Sequence, residues 1–498
     1  MSRNPFEVLD RSLRSLAFDV FRRRDGLSGW KAARRDFRRC LRKSADMLAR
    51  DTEVRVRNIV IHACETSPYY RDLCRDLGLQ PSAAFSLEDL RHFPLLTKEI
   101  IKQKGPQLIS ERIGRHELDV EFTSGTTGRR TEFQRNHQCT VSRVGRQTGI
   151  LEQCGYRPGE RRALLWGVES EVPAAGIRGL RQRLRHFADS QESVCCKVMN
   201  ERDMEEFHAR LLRFRPAVLY GYPNAMARLG RFILERKLAP IRVRTIMSTA
   251  ERLTLQTREF LNAVFGAEVY DLYCTREYGC VGFECSMHDG YHIDTGSVYL
   301  EIVREGRRVE LGETGEITIT DLLNYGMPLI RSRTGDIGTL SAEPCACGSG
   351  LPLLKSFDGR MPDNIVRPDG SIVAGILVSY MFMDLPQIKA AQFVQESVTD
   401  LEVRLEVGEE LSEETRASVL RQVRERVGQE ISVRVTPVRE IPRNPLSGKL
   451  QEVISKIGRA QGAAGTATGS HGMAPGGAGP SERGLYGGAC GDRDGSGT

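Results

Sequence analysis

The stretch from residue 217 to residue 275 does most to limit the fold. Apolar runs alternate there with helical patterns: AVLYGY, then NAMARLGRFILERKL, VRTIMSTAE, LQTREFLNAVFG and AEVYDLYC. Strand, helix, strand, helix, strand at that spacing predicts a parallel sheet with crossover helices, and hence an α/β core. After residue 296 the pattern changes to period-two alternation with turns, as in SVYLEIV and GEITITDL, which predicts a small β-meander or barrel. From about residue 361, LEVRLEV reads as a strand, SEETRASVLRQVRERVGQE as an amphipathic helix with two glutamates in its first turn, and SVRVTPV as another strand. A small α+β C-terminal domain is therefore expected over 361–458, behind a large α/β domain over 61–360 and a basic helical extension over 1–60. The last 38 residues hold 13 of the 49 glycines and almost no large apolar side chains, so 459–498 is expected to be a disordered tail.

At 498 residues the chain exceeds what one core usually supports, in keeping with that division. No apolar run approaches the ~18 residues of a membrane span, which argues against an integral membrane protein. The start, MSRNPFEVLDRSLRSLAF, places acidic residues where a signal peptide has its apolar stretch, so a cytoplasmic location is expected. Thirteen cysteines spread over such a chain are expected to be mostly reduced thiols. The net charge of +7 is an N-terminal feature: residues 1–60 contain 16 Lys and Arg against 8 Asp and Glu. Those arginines alternate with acids and apolar positions at helical spacing, which describes a solvated helix face and gives no reason to expect a nucleic-acid partner.

Chemistry enters at Thr123-Ser124-Gly125-Thr126-Thr127-Gly128, which follows the alternating segment ELDVEF. Glycines let a backbone approach an anion closely, and free N–H groups with Ser and Thr hydroxyls can cradle phosphate oxygens. The loop of the familiar nucleoside triphosphatases is excluded, because no Gly-Lys-Ser or Gly-Lys-Thr closes this one. Four further segments follow in order: Asp271-Leu-Tyr-Cys-Thr-Arg-Glu277, Arg333-Thr-Gly-Asp336, Phe357-Asp-Gly-Arg360 and Pro442-Arg-Asn-Pro-Leu-Ser-Gly-Lys449.

Together these five segments resemble the ordered motifs of the adenylate-forming superfamily of acyl-CoA synthetases and peptide-synthetase adenylation domains. HACETSPYYRDL at 62–73 and FPLLTKEII at 93–101 narrow the resemblance to the phenylacetate-CoA ligase family, over about residues 60–457. The resemblance implies ATP-dependent activation of a carboxylic acid, aryl or arylacetic, to an acyl-adenylate, followed by transfer to coenzyme A. It implies that the 123–128 loop holds the β- and γ-phosphates, that Glu277 helps hold Mg2+, and that Asp336 accepts hydrogen bonds from the ribose hydroxyls. Ala250, Glu251, Asp271 and Tyr273 fall where the family contacts adenine or the acyl group, and Arg360 closes the fourth nucleotide-site motif. Lys449 is the expected catalytic cation, since an ammonium with three donors can bridge the carboxylate and the α-phosphate. The expected partners are the acid and coenzyme A, and a homodimer is compatible with the reading. The alternative is transfer to an amine, a carrier-protein thiol or a hydroxyl, or adenylylation of a cofactor.

Three positions depart from the family pattern. Arg276 stands where Ser or Thr usually precedes the motif glutamate, bringing a guanidinium close to the phosphates. Arg129 and Arg130 follow the loop where Lys or Pro is common. Pro362 occupies the position about which the C-terminal domain of such enzymes rotates between half-reactions, and proline fixes φ.

Cys345-Ala-Cys347, followed by Gly348, reads as half of a zinc site, with Cys285 and His292 as the other half and His288 as a competing imidazole. The resemblance adds a structural zinc found in some relatives in this region. The bland alternative is a cluster of reduced thiols near a sheet edge.

Overall fold

The computed structural model describes residues 12–16, 18–20, 22, 26–82, 84–122, 131–166, 190–195, 201–251, 253–360, 365–368, 372–373, 382, 385, 387–408, 411–442, 450 and 452–457. They form two units, one running to residue 334 and including 339–356, the other made of 335–338 and residues from 357 onward. The loop 123–128, Pro362, Lys449 and the glycine-rich tail lie outside the described residues.

The larger unit begins with helices α1 (Trp30–Cys40), α2 (Ala45–Thr66), α3 (Pro68–Asp76) and α4 (Lys98–Leu108). Ser44 and Thr97 start α2 and α4 by accepting the Met47 and Ile100 N–H groups on their side-chain oxygens. A hairpin of β1 (Leu118–Phe122) and β2 (Glu132–Asn136) then leads into α5 (His137–Gln153). The strands β3 (Arg162–Trp166), β4 (Gln191–Cys195), β5 (Val218–Gly221), β6 (Thr245–Thr249) and β7 (Glu268–Thr275) are parallel to one another. Helices α6 (Glu201–Phe214), α7 (Pro223–Glu235) and α8 (Leu255–Phe265) connect them, as the alternation over 217–275 predicts. Thr254 caps α8 at Thr257 N–H, and Gly266 ends it at φ +67°, a conformation that favours glycine.

Register explains the layering. Leu165, Leu219, Ile246 and Val269 point to one face of the sheet, where Phe207, Met226, Leu229, Phe232, Leu261 and Phe265 of α6–α8 cover them. Val218, Tyr220, Met247 and Leu272 point to the other face and meet Phe37, Ile150, Leu151 and Cys154 from α1 and α5. The later strands β8 (Gly279–Phe283), β9 (Tyr291–Ile293), β10 (Val298–Arg304), β11 (Arg307–Arg308), β12 (Thr314–Asp321), β13 (Ser332–Leu340) and β14 (Leu353–Arg360) join the same sheet. Its twelve strands run β11-β10-β12-β13-β14-β9-β8-β7-β6-β5-β3-β4. Among the described residues no closed barrel forms: β8 pairs antiparallel with the free edge of β7, so the expected meander extends the α/β sheet.

In the smaller unit β15 (Ile365–Val366) and β16 (Ile372–Val373) form a ribbon beside a sheet of β17 (Ile388–Ser397), β18 (Asp400–Val407), β19 (Ser432–Val438) and β20 (Val453–Ser455), ordered β19-β18-β17-β20. Helix α9 (Glu413–Val427) connects the parallel pair β18 and β19 and packs Val419, Val423 and Val427 on Val403, Leu405 and Phe393. Its first turn carries Glu413 and Glu414 behind the Ser412 cap.

The basic N-terminal segment is used internally. Phe18 packs edge-on against Trp30 with ring centroids 5.3 Å apart, Lys31 pairs with Asp19 at 2.5 Å, and Arg34 and Arg38 both reach Glu152 of α5. Eight described cysteines are free thiols, whereas Cys64 of α2 and Cys74 of α3 are joined as a disulfide. No helix among the described residues is long and apolar enough to cross a membrane.

The buried Arg146 ties α1 to the core. Its Nε donates to Asp294 Oδ2 at 2.7 Å, its Nη1 donates to Asp36 Oδ2 at 2.6 Å, and Nη2 pairs with Asp294 Oδ1. Burial acts to raise the Asp36 pKa, but Arg146 and Arg55 outweigh it and hold the carboxyl below its ordinary 3.8. Arg146→Met leaves the fully buried Asp294 without its cation and should cost about 3–5 kcal/mol in urea unfolding. Asp36→Asn should cost less. Because the native pKa is depressed, its deficit should be full above pH 3.8 and shrink as the pH falls below that value, which unfolding at several pH values measures.

Candidate active site

Open α/β sheets bind ligands beyond the C-terminal ends of their parallel strands. The motif residues Ala250 and Glu251 lie there, directly after β6, and Tyr273 lies near the end of β7. Ala250 adopts φ +66°, a conformation that costs a residue with a Cβ of order 1 kcal/mol and that clusters at functional sites. Glu251 Oε2 accepts from Asn224 N at the start of α7, at 3.4 Å. Trp166, at the end of β3, faces Tyr220 and Tyr222 with centroids 5.8 and 5.2 Å away. The sequence reading missed this aromatic group, although WG and YGY closing two apolar runs were its signal.

Asp271 turns to the opposite face from these rings. It is buried, accepts from Tyr291 Oη at 2.6 Å, and burial followed by the Glu284 charge pushes its pKa up to about 7. Glu284 in turn accepts two hydrogen bonds from Arg258 of α8, at 2.7 and 2.9 Å, and one from the Asp271 N–H at 2.9 Å. These bonds fasten Glu284, next to Cys285, to β7 and α8, and Tyr291, next to His292, to β7. Asp271 is thus engaged with this network rather than with the aromatic group.

Beyond β7 the chain turns at Arg276, Glu277 and Tyr278, with Tyr278 N–H donating to Thr275 Oγ1 at 3.0 Å. Glu277 is half-buried, and Arg276 pairs with Glu121 of β1 at 3.9 Å. Arg135 of β2 holds the other Glu121 oxygen at 2.7 Å. Neither Glu121 nor Arg135 stands out in the sequence, because the pairing needs the hairpin. In the smaller unit Asp336 is buried, next to Gly335 at φ +79°. Arg333 of the same motif is bound to Glu316 through Nε and Nη2 at 2.8 and 2.6 Å. Arg360 ends β14, and its side chain lies outside what is described.

Cys285, after β8, His292, in β9, and Cys345 and Cys347, between β13 and β14, come together with ligand atoms all within 4.8 Å of one another. Cys285 Sγ lies 3.7 Å from Cys345 Sγ, and Cys347 Sγ lies 3.4 Å from His292 Nε2. Tetrahedral zinc at standard bond lengths requires about 3.8 Å between sulfurs and about 3.6 Å between sulfur and nitrogen, so the donors fit that ion. Gly348, at φ +79°, donates its N–H to the Cys345 carbonyl at 3.1 Å and closes the expected tight turn. His288 is not the fourth donor: Nδ1 lies 3.0 Å from Glu284 Oε2 and Nε2 2.7 Å from Glu268 Oε1.

Comparison with known proteins agrees with the geometry. The CapK C-terminal domain family matches residues 365–456. A phenylacetate-coenzyme A ligase of Thermus thermophilus is 24% identical over 81% of this chain and 95% of its own length. One of Pseudomonas putida is 25% identical over 65% of this chain and 73% of its own, and protein CapK of Staphylococcus aureus is 23% identical over 79% and 86%. A 2-hydroxyisobutyryl-CoA ligase, solved in its postadenylation state with 2-HIB-AMP, shares the fold with a TM-score of 0.63 at 20% identity, over 82% of this chain and 90% of that one. Over most of its length the chain is therefore similar to phenylacetate-coenzyme A ligases, and it shares the fold of an acyl-CoA ligase of known structure.

Proposed function

We propose that this protein activates a carboxylic acid, aryl or arylacetic, with ATP and passes the acyl group to coenzyme A. The match to a phenylacetate-coenzyme A ligase across 95% of that enzyme's length carries this reading, because it takes in both the strand-end site and the C-terminal segment. In the first half-reaction a carboxylate oxygen attacks the α-phosphorus of ATP, and the bond to the bridging oxygen breaks, releasing pyrophosphate with its electron pair. In the second, the thiol sulfur of coenzyme A attacks the acyl carbon and loses its proton, and the bond to AMP breaks.

The residues divide the work by charge. The N–H and hydroxyl groups of 123–128 suit the β- and γ-phosphates, and the Asp336 carboxylate suits the vicinal ribose diol. Ala250, Glu251 and Tyr273 border the base and acyl positions, and the Trp166 ring, tilted 41° to Tyr220 and 36° to Tyr222, adds apolar aromatic surface suited to an aromatic acid. Glu277 would hold Mg2+, which supplies charge neutralisation between the phosphates and the incoming carboxylate. Asp271 serves the sheet edge through Tyr291 and Glu284. In this reading Lys449 is the cation that bridges the carboxylate and the α-phosphate.

Lys449→Ala should reduce pyrophosphate release by about 10²–10³ or more while leaving ATP affinity and thermal stability near wild type. Release at the wild-type rate on an established acid would exclude this role.

Zinc fits Cys285, His292, Cys345 and Cys347, and four protein donors leave no open position, so its role would be structural. Protein purified without added metal should hold about one zinc per chain by elemental analysis. Cys347→Ser should lose that zinc and stability together.

Pro362 gives the transfer of the adenylate to another acceptor its footing, since a fixed φ at the hinge position restrains rotation between half-reactions. Pro362→Asp should speed thioester formation in single turnover without changing adenylate formation. Quenched time courses resolve the two steps, and an enzyme that never uses coenzyme A should show neither effect.

A further inference from the structure

Cys64 and Cys74, ten residues apart, join α2 to α3 as a disulfide, and the reaction proposed above has no use for that bond. A groove of about 460 Å³ lies beside it, bordered by both cysteines and by Gly78, Leu79 and Pro81. Cys64 is half-buried and Cys74 is buried, so Cys64 is the more accessible end of the bond. Access of this kind decides which sulfur an incoming thiolate attacks.

Both helices hold the same piece of chain. His62, two residues before Cys64 in α2, has its Nε2 2.9 Å from the Tyr325 carbonyl oxygen and its ring centroid 4.9 Å from that of Tyr325. Tyr70, one helical turn before Cys74 in α3, is buried; its Oη donates to the Pro328 carbonyl oxygen and accepts from the Ile330 N–H, both at 3.1 Å. Residues 325–330 lie between β12 and β13 and lead into Ser332 and Arg333 at the start of β13. Helix α3 has nine residues, too few to persist in water without tertiary support. Its exposed ion pairs, Arg71 with Glu111 and Arg75 with Asp72, add little. The disulfide is the covalent tie between the helix that carries Tyr70 and the helix that carries His62.

We propose that Cys64 and Cys74 are a reversible redox pair, acted on by a low-molecular-weight thiol in the adjoining groove, that sets how firmly α3 holds residues 325–330. In reduction, the thiolate of one small thiol attacks the Cys64 sulfur. The bond to Cys74 breaks, and the Cys74 sulfur leaves with the electron pair and takes up a proton. A second small thiolate attacks the small-molecule sulfur of the mixed disulfide, and the Cys64 sulfur leaves in the same way. The protein gains two electrons and two protons while two small thiols become one small disulfide, and oxidation runs the same steps in reverse. Neither direction requires the ligase reading.

The full chain, equilibrated with glutathione at a series of reduced-to-oxidised ratios, tests this. Alkylation of free thiols followed by peptide mass spectrometry should show Cys64 and Cys74 passing together from thiols to a disulfide in one two-electron transition. Backbone hydrogen exchange in residues 68–76 and 325–330 should be about tenfold or more faster in the reduced form. The variant carrying both Cys64→Ser and Cys74→Ser should exchange at the reduced-form rate at every ratio, which separates this pair from the other cysteines. The proposal falls if both cysteines stay alkylatable in oxidised glutathione, if the bond survives excess reduced glutathione, or if Cys64 stops at a mixed disulfide. It falls equally if residues 325–330 exchange at the same rate in both forms, or if the double variant still responds to the ratio as wild type does.

Discussion

Strand β7 is the element on which the rest of the larger unit depends. It is hydrogen-bonded along both edges, parallel to β6 on one side and antiparallel to β8 on the other. The parallel strands from β4 to β7 are linked by the crossover helices α6–α8, whereas β8 returns beside β7 through a short turn. One continuous sheet therefore carries two kinds of chemistry. The parallel strands end at Ala250 and Glu251, and the antiparallel continuation gathers three cysteines and a histidine about β8 and β9.

That arrangement explains the division of labour among charged groups. Buried charges in this protein are paired, as physical cost requires: Arg146 with Asp294 and Asp36, Arg143 with Asp321, and Arg331 with Glu301. Glu284 is the member of this set with the widest reach. It holds Arg258, the Asp271 backbone and His288 while standing next to Cys285, so the geometry of the four-donor cluster depends on a carboxylate that is not itself one of the donors. The exposed charges near Glu277 are arranged differently. Two guanidinium groups, Arg135 and Arg276, lie against Glu121.

Local signals carry part of the expectation: the composition of the Thr-Ser-Gly-Thr-Thr-Gly loop points to phosphate, and the spacing of Cys345-Ala-Cys347-Gly348 points to a metal turn, whose cysteines the fold brings together with Cys285 and His292. Asp271 shows the limit of such reading. Its motif does not record its neighbours: strand alternation sends its side chain to the face opposite Trp166 and Tyr220, toward Tyr291 and Glu284. His288 shows it again: it has the chemistry of a ligand and the right neighbourhood, but its two nitrogens face Glu284 and Glu268.

The sequence by itself determined the α/β core, the order of the elements and the caps of helices such as α8 and α9, since hydrophobic periodicity and capping act over a few residues. Tertiary structure decided that the later strands extend the same sheet rather than close a barrel, because strand pairing is chosen by which edge is free, not by the alternation within a strand. It also decided that Lys31 pairs with Asp19, Arg55 with Asp36 and Arg38 with Glu152, and that Trp166, Tyr220 and Tyr222 lie together. These partners lie tens of residues apart or more along most of these contacts, where no local pattern records which side chain will stand opposite which.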